Sequence, residues 1–227
     1  MQRNFLIKLR QFVEEPEIES DDTEYYLNRA QEEYAKEQHF IIKDNYRNQH
    51  IGNINIQRAV ENLRTLIKTI NFEYDGTELI QSTSISNGLT ISLEDAKFVQ
   101  PYTYYLRSRL NASPDVSLNC KIIDPTLLSK YTKTKYNSPL FREPAILIEG
   151  DNLIVIYPSE VTPDNGTTFE LTYVTSPTSV NIQEGVDCAL PIHTHNEVVD
   201  MAVELKIKDL DKSRSLGLDK AVKPKAE

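Results

Sequence analysis

Two histidines one residue apart, in His193-Thr194-His195, are the nearest thing to a metal centre in the chain. Both imidazoles could reach one zinc ion if Cys188 or Asp200 supplied a third ligand, the number an open catalytic zinc site needs. The plainer reading has the pair flanking the start of a helix with no chemical task. His193 and His195 are therefore metal candidates only, and no metal or other cofactor is expected. His39 and His50 are isolated and read as surface residues. Carboxylates are abundant, but none stands in an apolar setting that would raise its pKa for acid–base work. Glu149 and Asp151 fall in a hairpin turn, where polar residues favour turning. There is no Gly-rich phosphate loop, no Cys-x-x-Cys pair and no Gly-x-Ser-x-Gly elbow, and the chain has only 7 glycines. No catalytic residue is nominated, and the chain is not expected to be an enzyme.

The bases form two groups. Lys130-Tyr131-Thr132-Lys133-Thr134-Lys135-Tyr136 interleaves three lysines with aromatics, a pattern that can touch a nucleic acid backbone while tyrosines stack, or can be a solvated face. The C-terminal stretch Ser213–Glu227 carries Arg214, Lys220, Lys223 and Lys225 against Asp219 and Glu227. Lys130, Lys133, Lys135, Lys220, Lys223 and Lys225 are the candidate interface residues. The whole chain has a formal charge of −9, which disfavours general nucleic acid binding and suits a surface that DNA passes without sticking.

These groups must be held by an ordinary globular chain: 227 residues, 39% hydrophobic and 26% charged, enough to bury a sizeable core. Cys120 and Cys188 lie far apart and read as reduced, structural thiols. No charged-then-apolar leader opens the sequence, and no apolar run approaches the roughly 18 residues of a membrane span. Use without secretion is the expectation.

The segment Phe5–Val13 reads as a short amphipathic helix, followed by an acidic linker with seven acids and no base from Glu14 to Glu24. Asp21 and Glu24 have capping-box spacing. A long helix is predicted from Thr23 to Ile42, with Tyr26, Leu27, Ala30, Tyr34 and Ile41 on one face. A second follows in which Ile56, Val60, Leu63, Ile67 and Ile70 step by three and four. Beyond Tyr74-Asp75-Gly76 the composition turns to strands: Ile85–Leu93, Tyr102–Leu110 with Tyr102, Tyr104, Leu106, Ser108 and Leu110 on one face, and Val116–Ile123. A short helix capped by Asp124 is expected at Pro125–Leu128. Ala145–Tyr157 is the strongest hairpin. Both of its arms are apolar on both faces, so each face must be covered, within a sandwich or at a subunit interface. Thr168–Thr175 is the last strand, after the Asp164-Asn165-Gly166 turn. A closing helix begins at a Thr194/Glu197 capping box and carries Val198, Val199, Ala202, Val203, Leu205, Ile207 and Leu210 to about Lys212.

The expected class is α+β: a helical bundle built from N-terminal helices and a C-terminal helix, with an inserted antiparallel β-sandwich-like region. The boundaries are 1–22 for the N-terminal segment and acidic linker, 23–74 for a helical hairpin, 75–185 for the β-rich region, 186–212 for the C-terminal helix packing on the hairpin, and 213–227 for a basic tail.

Four stretches carry a resemblance: Glu24-Tyr25-Tyr26-Leu27-Asn28-Arg29-Ala30-Gln31, Glu61-Asn62-Leu63-Arg64-Thr65-Leu66-Ile67, Tyr136–Pro144, and Leu190–Val203. In this order the chain resembles the head-to-tail connector (adaptor, ring) proteins of crAss-like and related short-tailed bacteriophages. It departs from them after the first long helix, where Phe40–Tyr46 stands in place of a basic, Asn- and Gly-rich loop. The resemblance implies a structural virion protein of the neck, made in the bacterial host's cytoplasm. It would be one subunit of a dodecameric ring against the portal and neighbouring tail rings, with DNA passing through the lumen, no membrane partner and no catalytic residues. Two other readings are a virion receptor- or glycan-binding protein, trimeric with an exposed aromatic groove, and a zinc-dependent hydrolase using His193 and His195. A regulatory protein absent from the particle is a third.

Overall fold

The computed structural model describes residues 1–12, 20–47, 54–82, 85, 87–94, 98, 100–113, 116–128, 143–158, 161 and 163–221. It is α+β, with 39% helix and 31% strand, and divides into two compact units. Met1–Leu66 and Pro177–Glu227 form a helical unit. Ile67–Ser176, inserted between them, form a β unit.

The helical unit contains α1 (Gln2–Leu9), α2 (Ser20–Arg47), α3 (Ile54–Asn62) and α4 (His195–Ala221). Helices α2 and α4 pack along each other, α3 lies on α2, and α1 lies on α4. The apolar stripes legible in the sequence are the buried ones: Leu27, Ala30, Tyr34 and Ile42 of α2, Val198, Val199, Ala202 and Val203 of α4, and Phe5 and Leu9 of α1. Burying such aliphatic and aromatic side chains is worth about 1.5–3 kcal/mol each and holds four otherwise marginal helices together.

The second long helix is shorter than its periodicity predicts. Helix α3 ends at Asn62, residues 63–66 turn, and β1 (Ile67–Glu73) begins. Ile67 and Ile70 thus belong to a strand. The same residues satisfy both periods, since Ile70 and Phe72 alternate with Thr69, Asn71 and Glu73. Pairing with a second strand decides between them.

The β unit holds two sheets. One has the order β1-β9-β4-β5, with β9 at Thr168–Thr175, β4 at Tyr102–Ser113 and β5 at Val116–Asn119. The other has the order β2-β3-β8-β7-β6, with β2 at Ile80–Gln81, β3 at Gly88–Ser92, β8 at Asn152–Ile156, β7 at Ala145–Glu149 and β6 at Lys121–Ile122. All pairs are antiparallel except β6 with β7. Phe72, Leu110, Phe169, Leu171 and Tyr173 of the first sheet meet Leu89, Ile91, Ile146, Leu153 and Val155 of the second in one buried cluster, the core of a sandwich. Because β1 pairs with β9, the chain enters and leaves the unit through neighbouring strands.

Two departures from simple alternation shape this unit. Strand β4 is interrupted by register shifts between Tyr102 and Tyr104 and between Tyr105 and Arg107. Tyr105, Ser108 and Leu110 therefore lie opposite the inward residues Tyr173, Leu171 and Phe169, and Tyr105 rather than Tyr104 joins the core. The expected strand Val116–Ile123 breaks at Cys120. Cys120 N donates to Ser108 O at 3.0 Å in one sheet, and Lys121 N donates to Pro144 O at 2.8 Å in the other, so one segment serves both sheets.

The two-sided hairpin is β7 and β8, turned at Gly150 with φ of +58°. Its inner face enters the sandwich core. Its outer face, Ala145, Leu147, Ile154 and Ile156, is also buried, in a second cluster with Ile123 against which Ile85 and Leu128 pack. Neither face of the hairpin is left as a subunit interface.

Candidate functional site

His193 and His195 lie at the entry to α4 and serve different partners. Asn62 Nδ2, on α3, donates to the Tyr34 hydroxyl at 3.0 Å and to Gln38 Oε1 at 3.1 Å. Its Oδ1 is therefore the acceptor facing His193 Nε2 at 3.0 Å, which assigns the proton to that nitrogen. The Tyr34 hydroxyl donates to Glu197 Oε2 at 2.6 Å, and Arg58 Nη2 donates to Glu197 Oε1 at 3.2 Å. Burial, then the bond to Glu197, pushes the Tyr34 hydroxyl's pKa well above its ordinary value, so Tyr34 stays a neutral donor. This polar knot ties α2, α3 and the start of α4 together.

His195 Nε2 donates to Leu190 O at 3.0 Å, closing the turn in front of α4. The suggested third ligands are also engaged or enclosed. Asp200 accepts from Lys8 Nζ at 2.5 Å, and burial raises the pKa of the Cys188 thiol. Among the described residues no three His, Cys, Asp or Glu side chains stand where one metal ion could hold them. Glu149 and Asp151 are exposed at the ends of the hairpin turn.

The expected capping boxes do other work. Thr194 Oγ1 donates to Pro191 O at 2.8 Å, while Glu197 is in the polar knot. Glu24 Oε1, instead of closing a cap, accepts from Ile182 N at 2.6 Å. It begins a row that sequence reasoning missed. Asn28 Oδ1 accepts from Val180 N at 2.6 Å and its Nδ2 donates to Val180 O at 3.1 Å; Gln31 Nε2 donates to Thr178 O at 2.9 Å. Glu24, Asn28 and Gln31 are spaced by four and three, on one stripe of α2, and hold the segment 178–182 as a partner strand would. That spacing of polar side chains was the available signal. The Glu24–Gln31 stretch is thus a docking rail within the chain. Further along, Lys206 Nζ donates to Asp22 Oδ2 at 2.8 Å and lies 4.9 Å from the centre of the Tyr26 ring. The Tyr26 hydroxyl donates to Asp209 at 3.2 Å.

Of the interface candidates, Lys220 lies in the last turns of α4. Lys130, Lys133, Lys135, Lys223 and Lys225 lie outside the described residues, as does most of Tyr136–Pro144. The largest exposed apolar side chains in the helical unit are Ile192 at 85%, Ile54 at 76%, Phe12 at 67% and Phe40 at 65% exposure. Among the described residues no helix is long and apolar enough to cross a membrane. No protein-family model matches the chain, and comparison with curated proteins finds no match.

Proposed function

We propose that the chain is a structural virion protein, one subunit of a homo-oligomeric ring in the head-to-tail connector of a short-tailed phage, joining portal to tail around the DNA channel. The observation that carries this reading is the distribution of exposed apolar side chains. The sandwich closes its two-sided hairpin on itself, whereas Phe12, Phe40, Ile54 and Ile192 of the helical unit all remain more than half exposed. Apolar surface on different elements of a well-packed unit suits head-to-tail contacts between identical copies, which close into rings. The chain's acidic balance suits a lumen that lets DNA pass. The ordered resemblance of Glu24–Gln31, Glu61–Ile67 and Leu190–Val203 points to the same family. The side chains in these stretches that face the knot and the rail have structural partners inside the chain, as a scaffold protein requires.

The test is location in the particle. Gold-labelled antibody against the chain, applied to intact and to tail-stripped phage, should mark the junction of head and tail. Label confined to the distal tail, or absent from particles, contradicts the proposal.

A further inference from the structure

A groove of about 440 Å³ opens in the helical unit between α1 and α4. Its apolar lining is Phe12, Val203 and Ile207, and its charged lining is Lys8, Asp200 and Glu204. Lys8 is committed to Asp200. Glu204 is 69% exposed and has only the long Lys208 contact of 3.7 Å, which leaves it able to take another cation. The groove therefore offers an apolar floor beside an acidic rim.

The sequence contains one matching segment. In Val222-Lys223-Pro224-Lys225-Ala226 the apolar Val222, Pro224 and Ala226 alternate with Lys223 and Lys225. Laid out as an extended chain, it would show one apolar edge and one basic edge. Reach decides whose segment this is. Helix α4 rises about 1.5 Å per residue, which puts Glu204 about 25 Å along the helix from Ala221. Lys225 is four residues past Ala221, and four extended residues span at most about 14 Å. The same copy's Lys225 falls short of Glu204, and shorter still of Asp200.

We infer that the α1–α4 groove of one copy receives the basic segment around Lys223 and Lys225 from a second copy, with the lysines on Glu204 and Asp200 and the apolar edge on Phe12, Val203 and Ile207. This deepens the ring reading and rests on it, because it names one of the contacts between identical copies.

The experiment mixes full-length chains grown with light and heavy nitrogen, allows them to assemble, and links amines to carboxylates with a carbodiimide. Peptide mass spectrometry should find Lys223 or Lys225 joined to Glu204 or Asp200 in mixed light–heavy pairs. The variant Lys223→Glu/Lys225→Glu should lose those links and self-associate about tenfold more weakly, the order expected when rim charges are set against like charges. Adding Glu204→Lys to that variant should restore association and create the reciprocal link. Glu204 is chosen over Asp200 because its replacement leaves the Lys8 pair intact. If rings form but the links stay within one copy, or the reversed variant assembles unchanged, the groove assignment is overturned and the ring stands. If the wild-type chain remains a monomer, both are overturned.

Discussion

The Tyr34 hydroxyl donates to Glu197 Oε2 at 2.6 Å across 163 residues of sequence, and joins α2 to the helix that returns after the whole β unit. Tyr34 is 3% exposed, while the Glu197 side chain is about half exposed. A hydrogen bond to a charged group is worth about 1.5–3 kcal/mol when well enclosed, and solvent at Glu197 brings this toward the lower end. Tyr34→Phe should therefore lower stability by about 1–2 kcal/mol in urea unfolding, with little change in secondary structure by circular dichroism.

Asn28 makes both of its bonds to one backbone residue, Val180, which is 5% exposed. Asn28→Ala strands a buried N–H and C=O together, at a cost of about 1–3 kcal/mol for each such group. Asn28→Asp keeps the acceptor for Val180 N and loses only the donor to Val180 O. Thermal melts should rank wild type above Asn28→Asp, and Asn28→Asp above Asn28→Ala. Equal melting temperatures would contradict the docking rail.

Leu147, on the outer face of the hairpin, separates a core role from an interface role. It is 1% exposed in the single chain. Leu147→Ala should cost about 2–5 kcal/mol of folding stability through lost transfer and a cavity. The same substitution at an interface would leave the fold intact and weaken only assembly. Denaturant midpoints measured alongside native mass distinguish the two.

The β unit should lose stability in alkali. Burial pushes the Cys120 thiol from 9.0 up to about 12, and Tyr102 and Tyr105 from 10.0 up to about 12. A raised folded-state pKa means that the unfolded chain releases its proton first. The stabilisation is fully present below about pH 9 and disappears as pH rises through 12. Urea midpoints should be flat near neutrality and fall from about pH 9 upward, and Cys120→Ser should delay the onset toward the tyrosine range.

Much of the scaffold was legible because it obeys simple periods. Leu27, Ala30 and Tyr34, then Val198, Ala202 and Val203, announce the faces that α2 and α4 bury, and Thr168–Thr175 is β9 residue for residue. The division into a β unit inserted between two helical ends was legible too. Its edges were not, since Ile67 and Ile70 fit a helical step as well as a strand, and only the register with Val174 and Leu171 decides. The shifts in β4 left no sequence mark, so Tyr104 was placed where Tyr105 stands. The site was legible in residue types more than in roles. Glu24 and Glu197 looked like local caps, and His193 and His195 like a metal pair. Their partners lie far off in sequence, at Ile182, Tyr34 and Asn62, or on the backbone at Leu190.

The ring itself is tested most directly by the native mass of the purified, full-length chain at physiological salt. The account predicts a closed, single-size assembly of many copies of the 26.0 kDa chain, twelve if the connector resemblance holds, persisting on dilution through the micromolar range. A stable lone monomer at every concentration would contradict it.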